Sequence, residues 1–291
     1  MDNFVPDKII LGHNQFFGTD HMSAERGAER ASFFSKIENV THIIRFAYEN
    51  GVTGLMLSTH ENTKLIIDEI AKDNELKYNL NIYVLLPYMA KYVRMANERG
   101  MVNMMGEILG NATWKERIGI MSRGGIGALK KDFEGMLQAL IDIELLAFKK
   151  VNIKAVFLHN ALSDMAAGLK LHDIAHFFSR YITEKYRASP GFCTLNSPLL
   201  MSFLNETNIK NPLLMAPFNH IGFQMNPSRE IAENELKNSP SRMIAMSTLA
   251  AGYIKPKEAF QYLSDIKEIQ SIVVGASSKT HLKEILSNFQ I

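Results

Sequence analysis

Short apolar runs recur along this chain, and after most of them apolar residues return every three or four positions. The runs fall at 8–12, 53–57, 81–86, 153–158, 191–195, 213–218, 243–246 and 271–274, and they do not alternate apolar with polar. A strand that is apolar throughout is covered on both faces, as in a parallel sheet with helices outside it. Between the runs, Ile37, Val40, Ile44 and Ala47 form one helical stripe, stopped by Asn50-Gly51. Leu65, Ile66, Ile70 and Ala71 form a second. Met136, Leu140, Ile143, Leu146 and Ala147 give a third, and the spacing predicts further helices over 173–186, 197–204, 256–263 and 279–286. The rhythm predicts an α/β fold, a single (β/α)8 TIM barrel over 1–291, with its site at the C-terminal ends of the strands. Two long segments interrupt it. One, 14–36, joins the first strand to its helix. The other is an inserted loop or helical excursion at about 87–131, after the third strand, carrying Trp114, Arg117, Arg123 and Gly124-Gly125-Ile126-Gly127. Long segments after barrel strands are expected over the mouth.

Composition narrows the classes. A length of 291 residues suits one barrel, and 46% hydrophobic with 21% charged residues suits a sizeable core. A net charge of +2 gives no electrostatic reason to expect nucleic acid or an anionic membrane as partner. A single cysteine, Cys193, excludes an intramolecular disulfide and fits a reducing, cytoplasmic setting. Neither a signal-peptide pattern nor an apolar stretch near the roughly 18 residues of a membrane span occurs. A small-molecule substrate is the expected partner, while oligomeric state is not legible.

The candidate chemistry gathers where the strands end. The first strand delivers His13, Asn14 and Gln15, and the second Ser58, Thr59, His60 and Glu61. The fourth delivers His159 and Asn160, with Asp164 a turn later. Thr194 and Asn196, Asn219 and His220, and Ser247 and Thr248 follow from the next three strands. Some of these residue types have structural uses. Ser58-x-x-Glu61 reads as a capping box, Asn196-Ser197-Pro198 as a helix N-cap, and Ser277-Ser278 as another. His159 follows a strand with no expected part in starting a helix. Three chemistries suit this rim. His13, His60, His159 and His220, with Glu61 or Asp164, form a divalent-metal set, although no H-x-H or H-E-x-x-H spacing occurs. A histidine can act as acid or polarise a carbonyl while a cofactor supplies hydride. A phosphate can dock at Ser277-Ser278, where a helix begins. The strand ends carry no lysine for Schiff-base chemistry, and no G-x-G-x-x-G follows the first strand.

Several segments carry a resemblance. These are Phe46-Ala47-Tyr48-Glu49-Asn50-Gly51-Val52-Thr53, Phe157-Leu158-His159-Asn160, the stretch from Gly191-Phe192-Cys193-Thr194-Leu195-Asn196 to Ser197-Pro198-Leu199-Leu200, Met246-Ser247-Thr248-Leu249-Ala250-Ala251-Gly252, and Val274-Gly275-Ala276-Ser277-Ser278-Lys279-Thr280-His281-Leu282. In this order the chain resembles the aldo-keto reductases, most strongly from Ala155 onward. The resemblance implies a barrel that binds NADP or NAD and reduces a small carbonyl compound. That family uses an Asp, Tyr, Lys and His set. Here Ser58 stands at the Asp position, no tyrosine follows in Ser58-Thr59-His60-Glu61-Asn62-Thr63-Lys64, and the lysine position falls near Leu86-Pro87. His159 matches. The resemblance therefore implies a non-standard catalytic set, with His159 orienting the carbonyl, His60 as the nearest acid, and Glu61 and His13 beside them. Tyr88 and Tyr83 are more remote phenols. For the cofactor it implies Asn196 at the carboxamide, Ser247 and Leu249 after strand seven, and Ser277, Ser278 and Lys279 after strand eight, with Lys279 near a 2′-phosphate. A metal-dependent hydrolase or lyase and a non-catalytic ligand-binding barrel are the alternatives.

Overall fold

The computed structural model describes residues 4–20, 22–88, 132–238 and 241–289. Eight parallel strands close a barrel in chain order: β1 (Ile9–Gly12), β2 (Gly54–Ser58), β3 (Asn81–Leu86), β4 (Ile153–Leu158), β5 (Ser189–Cys193), β6 (Leu213–Pro217), β7 (Arg242–Met246) and β8 (Ile269–Gly275). Closure comes from β8 pairing with β1, Ile9 opposite Ile272 and Gly12 opposite Gly275. Successive side chains on a strand point to opposite faces. Ile10, Met56, Tyr83, Ala155, Phe157, Cys193, Leu213, Met215 and Ile244 fill the inside. Residues between them, such as Leu11, Leu57, Val84, Leu158 and Ala216, pack outward against helices. Burial on both faces is why these strands read as unbroken apolar runs. Gly191 is small because Phe157 crosses the barrel there: a Cβ on Gly191 would lie 2.5 Å from its ring.

The outer layer is α1 (Ala24–Phe34), α2 (Ile37–Glu49), α3 (Thr63–Lys72), α4 (Asn74–Asn79), α5 (Asp132–Leu145), α6 (Asn160–Gly168), α7 (His172–Tyr181), α8 (Ser197–Glu206), α9 (Arg229–Asn238), α10 (Pro256–Ser264) and α11 (Lys279–Asn288). The predicted stripe of α2 is buried at Val40, Ile44 and Ala47, and Gly51 follows at φ 87°, the left-handed turn that Asn-Gly foretold. The predicted helix over 173–186 is α7 continued by a wider π turn, Ile182–Tyr186. Segment 14–36 holds a 3-10 turn, Asn14–Phe17, and then α1. Its loop is pinned by Asp20, which accepts from the Met22 and Ser23 amides and pairs with Arg26 and Arg30. Most of the predicted excursion, 89–131, with Lys91, Trp114, Arg117, Arg123 and the Gly124–Gly127 stretch, lies outside the described residues. None of the described helices is long and apolar enough to cross a membrane.

The opposite end of the barrel is closed by a polar clasp. The Asp7 carboxylate accepts from Thr53 Oγ1 (2.6 Å), Asn81 Nδ2 (3.0 Å), the Tyr83 hydroxyl (2.5 Å) and Lys154 Nζ (2.9 Å). Its backbone carbonyl takes the Ser271 hydroxyl at 2.5 Å. Burial alone would raise the Asp7 pKa, but these donors hold it below the usual carboxylate value. Tyr83 and Lys154 thus belong to the floor of the barrel, away from the site.

Candidate active site

His13, His60 and His159 come together at the mouth. His13 directly follows β1 and is 8% exposed; His60 leaves β2 by two residues and is half-buried; His159 directly follows β4. Burial pulls the His13 pKa down to about 3. A hydrogen bond to the Met56 backbone opposes this, and the nearby charges of protonated His60 and His159 would add to it. Burial also lowers the pKa of His159. Burial therefore disfavours a charge on both His13 and His159. Aromatic contacts bind the group: Phe17 lies 5.3 Å from the His13 ring and stacks on His60 at 4.2 Å with planes 12° apart. Tyr88 meets His60 edge-on at 5.1 Å. The Tyr88 amide donates to Thr59 Oγ1 at 3.2 Å, which ties the end of β3 to that of β2.

Main-chain donors fix the orientation of two of the rings. His60 Nδ1 accepts the Asn62 amide at 3.1 Å, and His159 Nδ1 accepts the Ala161 amide at 3.2 Å. A neutral imidazole has one N–H, so in its neutral form each carries it on Nε2. This corrects the expectation for His159, which is the N-cap of α6 as well as a rim residue. The capping-box reading of Ser58 and Glu61 is also corrected. Helix α3 begins only at Thr63, after Asn62, and the Thr63 hydroxyl donates to the Ser58 carbonyl at 2.7 Å. Ser58 is left 2% exposed at the inward-facing end of β2, and Glu61 is exposed.

The remaining predicted residues distribute around the other strand ends. Asn196 caps α8 by accepting the Leu199 amide at 3.2 Å, which leaves its side-chain NH2 as a donor. Its own amide donates to Thr194 Oγ1 (2.8 Å), whose hydroxyl donates to Asp164; the Leu195 amide donates to the same carboxylate at 3.1 Å. Burial raises the Asp164 pKa, partly offset by those two donors. Ser247 follows β7 in the left-handed region at φ 53°, with Ala250 at 41° and Ala251 at 56°, and its hydroxyl reaches Gln224 Oε1 at 3.1 Å. Strained non-glycine backbone of this kind persists where surroundings over-determine it. Here fully buried Asn219 does so, donating to the Ser247 and Phe223 carbonyls. Leu249 is buried in the same turn. Ser278, not Ser277, caps α11 by accepting the His281 amide at 3.1 Å, and Lys279 lies 5.5 Å over the Phe46 ring.

His220 does not join the other histidines. Its ring faces Tyr262 at 6.4 Å, and its carbonyl accepts from Arg229. Among the described residues no group of three His, Cys, Asp or Glu side chains could hold a metal ion, so the four-histidine metal set is unsupported. Phe17 and Tyr88 are members of the site that sequence spacing did not single out as such, because their contacts join segments far apart in the chain.

No protein-family model matches the sequence, and no curated protein matches it. Solved structures do. A provisionally named aldo-keto reductase from Pseudomonas aeruginosa aligns over 97% of this chain and 88% of its own, at 11% identity and a TM-score of 0.62. Another structure so named from that organism aligns over the same shares at 10% identity and 0.60. An aldo/keto reductase from Brucella melitensis aligns over 99% of this chain and 95% of its own, at 11% identity and 0.56. At these identities the likeness is one of architecture, and the chain has the (β/α)8 barrel fold seen in structures of aldo-keto reductases.

Proposed function

We propose that this barrel is an NAD(P)H-dependent oxidoreductase that reduces a small carbonyl compound with a non-standard catalytic set. The observation that carries the reading is the His159 ring, whose Nδ1 is held by the Ala161 amide and whose N–H therefore sits on Nε2, beside His13 and His60 at the mouth of a fold shared with aldo-keto reductases. The residues around the other strand ends suit a dinucleotide. The α11 N-terminus beside Ser277, Ser278 and Lys279 offers amides and a cation to a phosphate. The strained turn at Ser247 and Leu249 and the NH2 of Asn196 supply further contacts. When bound, NAD(P)H supplies hydride to the carbonyl carbon. His159 donates a hydrogen bond to the carbonyl oxygen and stabilises its developing negative charge. A neutral imidazole is a poor acid, and protonating His60 on Nδ1 would break its bond to Asn62. The proton on the oxygen therefore comes from the Tyr88 phenol, which lies against His60. Ser58 in place of a carboxylate, and the lack of a lysine at the strand ends, favour a second reading as a ligand-binding barrel without turnover.

Calorimetric titration with NADPH and with NADH tests the proposal. Saturable binding that weakens about tenfold in Lys279→Ala is expected, followed by turnover that Tyr88→Phe abolishes. No binding of either nucleotide to the folded protein removes the oxidoreductase reading, and binding without turnover of any carbonyl compound leaves the second.

A further inference from the structure

Three buried polar atoms at neighbouring strand ends have no hydrogen-bond partner among the described residues: His13 Nδ1 after β1, Gln15 Oε1 two residues later, and Ser58 Oγ at the end of β2. They share one corner of the mouth. β1 lies between β2 and β8, the His13 ring is bonded to the backbone of Met56 on β2, and the Gln15 side chain lies 3.3 Å from where a Cβ on Gly275 of β8 would sit. Leaving one such atom unsatisfied costs about 1–3 kcal/mol, so three together mark a place built for something else to fill.

The unmatched atoms define its chemistry. A neutral His13 ring has one N–H, which goes to the Met56 backbone, so Nδ1 is an acceptor; Gln15 Oε1 is another, and Ser58 both donates and accepts. Among the described residues an ammonium group would meet no buried carboxylate in this corner. A hydroxyl meets two of the three, giving its proton to His13 Nδ1 and accepting the Ser58 O–H. We infer that this corner, formed by His13, Gln15 and Ser58, is a specificity subsite for a hydroxyl group borne by the ligand next to its carbonyl. The inference deepens the oxidoreductase reading by naming a hydroxylated carbonyl compound as substrate class, and rests on that reading only for the carbonyl.

Ligand-observed NMR titration of the full chain with hydroxyacetone and with 2-butanone, which replaces the hydroxyl by a methyl group, tests it. Hydroxyacetone is expected to bind at least tenfold tighter, and Ser58→Ala to cut that preference to under threefold without changing affinity for 2-butanone. Ser58→Ala should also melt no lower than the parent chain, since it removes an unsatisfied hydroxyl. Equal binding of the two ketones, or none, overturns the inference; so does a drop of several degrees in Ser58→Ala, which would make the hydroxyl a structural partner. Tighter binding of propionamide than of hydroxyacetone would assign the acceptors to an NH2 group and overturn it likewise. Preference for hydroxyacetone without NADPH binding keeps the subsite and removes the oxidoreductase reading; NADPH binding without preference does the reverse.

Discussion

His159 holds two offices with one ring: Nδ1 caps a helix, and the residue stands at the rim, directly after β4. The two separate by substitution. His159→Asn replaces one N-cap acceptor by another, so stability should hold within about 0.5 kcal/mol while turnover falls by about 10²-fold or more. His159→Ala should lose the cap as well, at about 0.5–2 kcal/mol. Urea melts of both variants beside NADPH-dependent rates check this; an Asn variant as destabilised as the Ala variant would deny the cap. At this scale the sequence was half informative. His13, His60 and His159 could be read as rim residues because each sits at the end of an apolar run. That Phe17 and Tyr88 enclose His60 could not, since stacking between a 3-10 turn and the end of a different strand leaves no periodic trace.

Among the elements, the join between α6 and the end of β5 is the most exacting. Thr194 is fully buried, donates to Asp164 from α6, and accepts the amide of Asn196, the residue that caps α8. Thr194→Val keeps the shape and removes the hydroxyl, leaving a half-buried carboxylate and an amide short of partners. The expected loss is about 2–4 kcal/mol, measured by urea denaturation; a change under about 0.5 kcal/mol would mean that water takes over both bonds. All eight strands were legible to within two residues, because burial on both faces writes itself as an apolar run. Helices were legible in proportion to their buried stripe. α2 buries four residues and stood out, whereas α9 buries Ala232 and Leu236 alone and did not. α6 was missed because histidine is an unusual cap.

For the molecule as a whole, burial of a neutral histidine sets a pH response. The folded-state pKa of His13 is about 3 against an ordinary 6.5, so the unfolded chain binds more protons between those values. Its contribution is complete above about pH 6.5 and declines as pH falls toward 3, at up to about 1.4 kcal/mol per pH unit. His159, lowered in the same direction, adds to the decline. Asp7, held below its ordinary 3.8, contributes its own loss only at lower pH. His13→Leu should therefore lose less stability than the parent between pH 7 and pH 5 in urea midpoints; equal losses would place the acid sensitivity elsewhere. The seam between β1 and β8 has a different consequence. Asp7 and Ser271, which meet there, are 264 positions apart, and β1 bonds both β2 and β8. While the chain is being synthesised, one edge of β1 has no strand beside it until β8 emerges, and contacts of such separation form slowly. The corner that holds His13, Gln15 and Ser58 comes into existence only at that final event. A ligand that fills it can reward closed barrels alone, and the nascent chain must reach β8 unaided.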